Sequence, residues 1–266
     1  MVEKKTPVGK PADDFIRIQD LWSMFVPKWY WFAISLFITL TIAVLYLLST
    51  PPIYTRTAAI LVKDNSKSSS STSAMNDFSD LGIFKSNTNI NNELLTLKSP
   101  TLMTEVVNRL GLNETFTIRK GLKNVDLYKV SPVTITFCDK IEVPLSFTIK
   151  FSSKEAFAIS ELEISGEDIG ETLSAQMGDS IQTSAGIMIV SPTQEFTDAF
   201  IGTSIRYVRG SVRAAVDTYS NALVAELGNE DATIINLSIN DTSIRKAEDI
   251  LNTLIEVYNE NWIRDK

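Results

Sequence analysis

Acidic side chains offer the first candidates for chemistry. They stand in close pairs at Glu161/Glu163, Glu167/Asp168 and Glu230/Asp231. A glycosidase needs two acids facing each other about 5 to 10 Å apart, and neighbours in a turn seldom do so. The pairs are therefore expected to be solvated turn residues, and Glu93, Glu105 and Asp241 to be helix surface and cap. The basic candidates are Arg206, Arg209 and Arg213 in SIRYVRGSVR, which read as one cluster beside Tyr207. Forked guanidinium groups and an aromatic face suit a sugar polymer or an acidic patch on a neighbouring subunit. The plainer reading is an exposed, solvated face.

Several chemistries are excluded by composition. Histidine is absent and Cys138 is the only cysteine. An internal disulfide, a CxxC redox pair, a zinc knuckle and a Cys/His nucleophile pair are thus impossible. No GxxxxGK[ST] phosphate loop occurs. No catalytic residue, cofactor or metal is expected. Cys138 ends the run VTITFC and is expected to be a buried small apolar residue. With 25 Lys+Arg against 32 Asp+Glu the net charge is −7, which argues against a nucleic-acid partner.

The elements that must position these residues begin with an uncharged run. Trp29 to Leu48 reads WYWFAISLFITLTIAVLYLL, long enough at about 1.5 Å per residue to span roughly 30 Å of hydrocarbon. Trp29, Tyr30 and Trp31 crowd one end, and Tyr46 and Tyr54 mark the other, as at headgroup levels. The following LYLLSTPPIY offers no small-x-small cleavage site, so the segment reads as an uncleaved anchor. Lys4, Lys5, Lys10, Arg17 and Lys28 precede it, favouring cytoplasmic residues 1–28 and an exported part from 49 to 266. Phe15, Ile18, Trp22 and Phe25 predict a short surface helix between Asp14 and Val26.

Beyond the anchor, Pro51 and Pro52 stop the helix and Tyr54 to Val62 reads as a strand. The serine-rich Ser66 to Ser79 is expected to be a mobile loop. Two helices follow in NINNELLTLKSPTLMTEVVNRLGL, with Ser99 as N-cap, Pro100 at the first position and Gly111 at the C-cap. PVTITF, LSFTIKF, AISELEI and GIMIV predict a β-rich subdomain at about 130–192, inserted between helical parts. Then come a helix in SVRAAVDTYS and a hairpin whose turn is Gly228-Asn229-Glu230-Asp231. Asp241 is expected to cap a last helix with the apolar stripe Ile244, Ala247, Leu251, Leu254, Ile255, Tyr258 and Trp262. No cap, Gly or Pro ends that helix before Lys266, so more helix is expected in a longer parent. The fold class is α+β.

Taken together, PPIYTRTAAILV after the first membrane helix, NELLTLKSPTLMTEVVNRLGL, and IINLSINDTSIRKAEDILNTLIEVYNENW resemble the Wzz-type polysaccharide chain-length determinants, or polysaccharide co-polymerases. The β-rich stretch is similar to the long form, in which a second membrane helix leads to a cytoplasmic tyrosine autokinase; neither appears in this sequence. The resemblance implies a bacterial inner-membrane protein with a periplasmic mixed α/β domain that regulates the length of O-antigen, capsule or exopolysaccharide. It implies scaffolding by a homo-oligomer, with a polysaccharide polymerase and the nascent polysaccharide as partners. A closed ring would need two different faces of each protomer, for which the helices around 92–110 and 242–262 are candidates. The main alternative is a single-span sensor or adaptor, which predicts a concave ligand pocket. A membrane-tethered hydrolase is the remaining reading, which the missing histidine and nucleophile motif disfavour.

Overall fold

The computed structural model describes residues 26–62, 86–138, 143–228 and 234–264. The predicted helix at 14–26, apart from its last residue, the serine-rich loop and the pair Glu230/Asp231 lie outside these. The chain divides into two units, Met1–Thr50 and Pro51–Lys266.

In the first unit a short 3-10 turn, Val26–Lys28, leads into helix α1, Trp29–Ser49. No residue of α1 is buried, and by length and composition it can cross a membrane. Two of its polar side chains are satisfied within the helix: the Thr39 and Thr41 hydroxyls donate to the carbonyls of Ser35 and Phe37, each at 2.8 Å. Hydrocarbon offers no other partner, so this internal bonding removes a cost that solvent would otherwise cover.

The second unit contains helices α2 (Ser86–Leu97), α3 (Pro100–Leu110), α4 (Val212–Ala222) and α5 (Ile244–Arg264). Its strands are β1 (Tyr54–Leu61), β2 (Glu114–Lys120), β3 (Lys123–Asp126), β4 (Val133–Phe137), β5 (Leu145–Phe151) and β6 (Ala156–Ile164). They continue with β7 (Glu167–Asp168), β8 (Leu173–Gln176), β9 (Ser180–Thr183), β10 (Gly186–Pro192), β11 (Ser204–Arg209), β12 (Leu223–Leu227) and β13 (Ile234–Asp241). A mixed helix and sheet content behind one apolar helix is the predicted α+β class.

One core lies between helices and a three-stranded antiparallel sheet ordered β1-β13-β12. Strand alternation sends Ile235, Leu237 and Ile239 inward, against Val106 and Val107 of α3 and Ile250, Leu251 and Leu254 of α5. The opposite face carries exposed Thr55, Thr57, Asn236 and Asn240. α3 is bounded as its sequence predicts: Ser99 Oγ accepts from the Thr101 amide at 3.3 Å, and Gly111 adopts φ 62° at the C-cap, a conformation that costs glycine little.

The cap of α5 differs from the prediction. Ser243, not Asp241, is the N-cap: its Oγ accepts from the Lys246 amide at 3.4 Å. Asp241 stands two residues earlier and closes a turn by accepting from the Ser243 amide at 2.7 Å. In NDTS, several residues compete for one cap, and the one three positions before a helical amide wins. The apolar stripe also ends sooner: Tyr258 is buried, but Trp262 is 42% exposed. A 21-residue helix is about 31 Å long against about 27 Å for the eight-residue strand beneath it, so its last turn outruns the layer.

The second core joins two further sheets, one ordered β3-β2-β11-β5-β6-β7 with β8 also on β6, the other β4-β10-β9. Their strands run from Glu114 to Arg209 between α3 and α4, a wider stretch than 130–192. At the centre the buried Tyr207 ring lies 5.0 Å from both Phe116 and Phe147. In β6 an extra residue, Glu161 at φ 54°, shifts the register against β5 and lets both Ile159 and Leu162 point inward. Glu161 and Glu163 are therefore strand residues beside a bulge, not turn residues. Cys138 is exposed, against expectation. It follows Thr134 and Thr136 on the outward parity of β4, while Val133 and Ile135 point in.

Candidate functional site at the junction of the two cores

β3 ends at Asp126, whose Oδ1 accepts from the Tyr128 amide at 3.0 Å. That turn holds the other carboxylate oxygen toward the first turn of α5. There Lys246 Nζ donates to Asp126 Oδ2 at 2.5 Å and lies 3.3 Å from Asp241 Oδ2. Side-chain exposure is 9% for Lys246, 11% for Asp126 and 8% for Asp241. Burial alone would lower the Lys246 pKa, but Tyr219, Asp126 and Asp241 together outweigh it and hold it above its ordinary value. Burial raises the Tyr219 phenol too. The site thus keeps one cation between two anions, and losing the lysine would strand buried negative charge.

A cleft of about 310 Å³ opens beside Lys246. The end of α3 at Leu110–Leu112, Glu114 and Phe116 of β2, the Asp126–Lys129 turn, Thr134 of β4, Glu195 and Tyr219 of α4 line it. The Tyr128 hydroxyl is buried and lies near Asp249 but outside hydrogen-bonding geometry. Burial first, then Asp249, pushes its pKa above the ordinary value. Lys129 Nζ reaches Asp249 Oδ2 at 2.6 Å.

The three arginines do not form one cluster. Arg206 and Arg209 are three residues apart on β11, and a strand sends such residues to opposite faces. Arg206 donates outward to Glu163 Oε2 at 3.1 Å and to Ser146 Oγ at 3.2 Å. Arg209 lies 3.7 Å from Glu114 and 4.9 Å from the centre of the Phe137 ring, at the edge of the cleft. Arg213 is exposed on the first turn of α4. Among the described acidic residues, Glu163 stands opposite Asp168 in the β6–β7 register, Glu161 accepts from Thr148 Oγ1 at 2.8 Å, and Glu167 and Asp168 sit exposed on β7.

The polar edges of α3 and α5 are tied together. Arg109 donates to Glu105 at 2.6 Å and, through both terminal nitrogens, to Glu260. The hydrogen bond from Arg109 holds the Glu260 carboxyl below its usual range. Further along, Tyr258 donates to Glu93 of α2 at 2.7 Å. Glu248, Asn252, Glu256 and Asn259 leave an exposed strip on α5.

Sequence reading missed the lysine triad. Lys246 stands between Ile244 and Ala247, on the arc continued by Ile250 and Val257, and a lysine on a buried arc signals a partner. The stripe read from Ile244, Ala247, Leu251 and Leu254 omits Ile250 and Val257, which leaves Lys246 outside it.

No curated protein matches the chain. Residues 14–110, the stretch from before α1 to the end of α3, match the family model Wzz, chain length determinant protein, the family that the sequence resembles.

Proposed function

We propose that this chain is a polysaccharide co-polymerase. It would set the length of O-antigen, capsule or exopolysaccharide by scaffolding in the bacterial inner membrane, with residues 1–28 cytoplasmic and the rest beyond α1 periplasmic. The family match over residues 14–110 carries this reading, since the Wzz family determines polysaccharide chain length without bond making of its own. α1, uncharged along its whole length, supports a single-pass anchor. The exposed strip on α5 supports a homo-oligomer, because Asn252, Glu256 and Asn259 face away from the core, and Glu248 at its start pairs with Arg56 at 3.1 Å. Arg206 and Arg213, both exposed, are the proposed contacts to polymer or neighbouring subunit, with Arg209 held inward by Phe137. The polymerase and the nascent chain are the further partners.

The test is deletion of the gene followed by complementation, read on a gel ladder of surface polysaccharide. The expected result is loss of the modal length and its return with the plasmid-borne gene, while total synthesis continues. An unchanged ladder overturns the reading. The cleft beside Lys246 favours a second reading, a single-span sensor or adaptor, and that unchanged ladder is the outcome it predicts.

A further inference from the structure

The cleft at the junction of the two cores combines ring faces with acceptor oxygens. Phe116, Tyr128 and Tyr219 line it, together with the carboxylates of Glu114, Asp126 and Glu195. Its cations are already engaged: Lys246 with Asp126 and Asp241, Lys129 with Asp249. Carboxylates accept hydrogen bonds and donate none. The Tyr128 hydroxyl is buried beside Asp249, so this residue offers the cleft its ring rather than its oxygen.

A ligand suited to this lining brings several hydroxyl donors, a flat apolar C–H face for the rings, and no negative charge. A pyranose residue has all three. The volume of about 310 Å³ falls at the lower end of the roughly 300–1,000 Å³ of small-molecule sites, enough for a monosaccharide or disaccharide and too little for a long polymer segment. We propose that this cleft is a subsite for a neutral, hydroxyl-rich sugar unit of the chain whose length is being set, an assignment that rests on the chain-length reading above. Uronic acids and phosphorylated sugars are disfavoured by Glu195, whereas Asp126 and Glu114 are balanced by Lys246 and Arg209.

Saturation-transfer NMR on the full chain in detergent tests this with methyl β-glucopyranoside, methyl β-galactopyranoside and methyl N-acetyl-β-glucosaminide, beside glucuronate as the charged comparison. Transfer is expected from at least one neutral glycoside and not from glucuronate. Thr134 is an exposed residue of β4 at the mouth, so Thr134→Trp should fill the cleft without disturbing either core. It should reduce transfer about tenfold, with unchanged circular dichroism and melting; Glu195→Gln should weaken transfer less. Silence from all three neutral glycosides, equal transfer in Thr134→Trp, or stronger transfer from glucuronate overturns the assignment. Complementation with Thr134→Trp separates this failure from that of the parent reading. If only the cleft assignment is wrong, the deletion strain loses its modal length and Thr134→Trp restores it fully. If the chain-length reading is wrong, deletion itself changes nothing.

Discussion

Lys246 donates to Asp126 across 120 residues of sequence, and in doing so pins the first turn of α5 to the end of β3. One buried cation thereby links the helical layer to the β-sheets. Its second neighbour, Asp241, ends β13, so three elements meet at a single nitrogen.

Lys246→Met should cost about 3–5 kcal/mol, because it leaves Asp126 and Asp241 buried without a counter-charge. Adding Asp126→Asn should recover part of the loss. Urea unfolding of the three proteins measures both numbers, and a single-mutant loss below about 1 kcal/mol would show the triad to be hydrated rather than desolvated.

Leu251→Ala and Leu254→Ala each remove a side chain buried between α5 and the three-stranded sheet, and each should cost about 2–5 kcal/mol. Asn252→Ala, on the exposed strip, should stay within about 0.5 kcal/mol. On the scaffolding proposal, Asn252→Arg or Glu256→Arg in the protein expressed in its own cells should shift the polysaccharide ladder while expression and synthesis persist. Unchanged ladders across the strip would remove it from the assembly surface.

The depressed Glu260 pKa makes a pH prediction. A group with a lowered folded pKa contributes stability above its unfolded value, near 4.5, and that contribution disappears as pH falls through the folded value. Wild type and Glu260→Gln should therefore differ in melting temperature at pH 7 and converge only once pH has fallen below the ordinary carboxyl range. The pair is exposed, so the gap at neutral pH should be small and shrink further in salt. A gap that persists in acid would mean that Glu260 acts through packing.

Exposure of Cys138 supplies a native topology probe. In intact spheroplasts an impermeant maleimide should label it, and Cys138→Ser should abolish the signal. Labelling that requires lysis would place the bulk of the chain in the cytoplasm.

Local chemistry made much of this fold legible. Ser99, Pro100 and Gly111 delimit α3 because caps are decided within a few residues. VTITF and LSFTIKF announce strands through a period of two. Long-range consequences were less readable. That Arg206 and Arg209 part to opposite faces follows from the strand period, yet their nearness in sequence suggested a cluster. Which partner meets Lys246 depends on Asp126, more than a hundred residues away, and no local pattern encodes that encounter. The bulge at Glu161 likewise needs β5 as a reference before it exists.

The pairing of β1 with β13, from Tyr54 opposite Asp241 to Leu61 opposite Ile234, also sets an order of events during synthesis. β1 leaves the ribosome early but finds its partner only after nearly 180 further residues, roughly 10–40 s later at about 5–20 residues per second. The β-sheets between Glu114 and Arg209 form from contiguous chain and can collapse within that interval, whereas β1 waits as an unpaired strand with one apolar face, Ala58 and Ile60. Closing so long a loop is slow, and until it closes β1 is the segment most open to pairing with another chain.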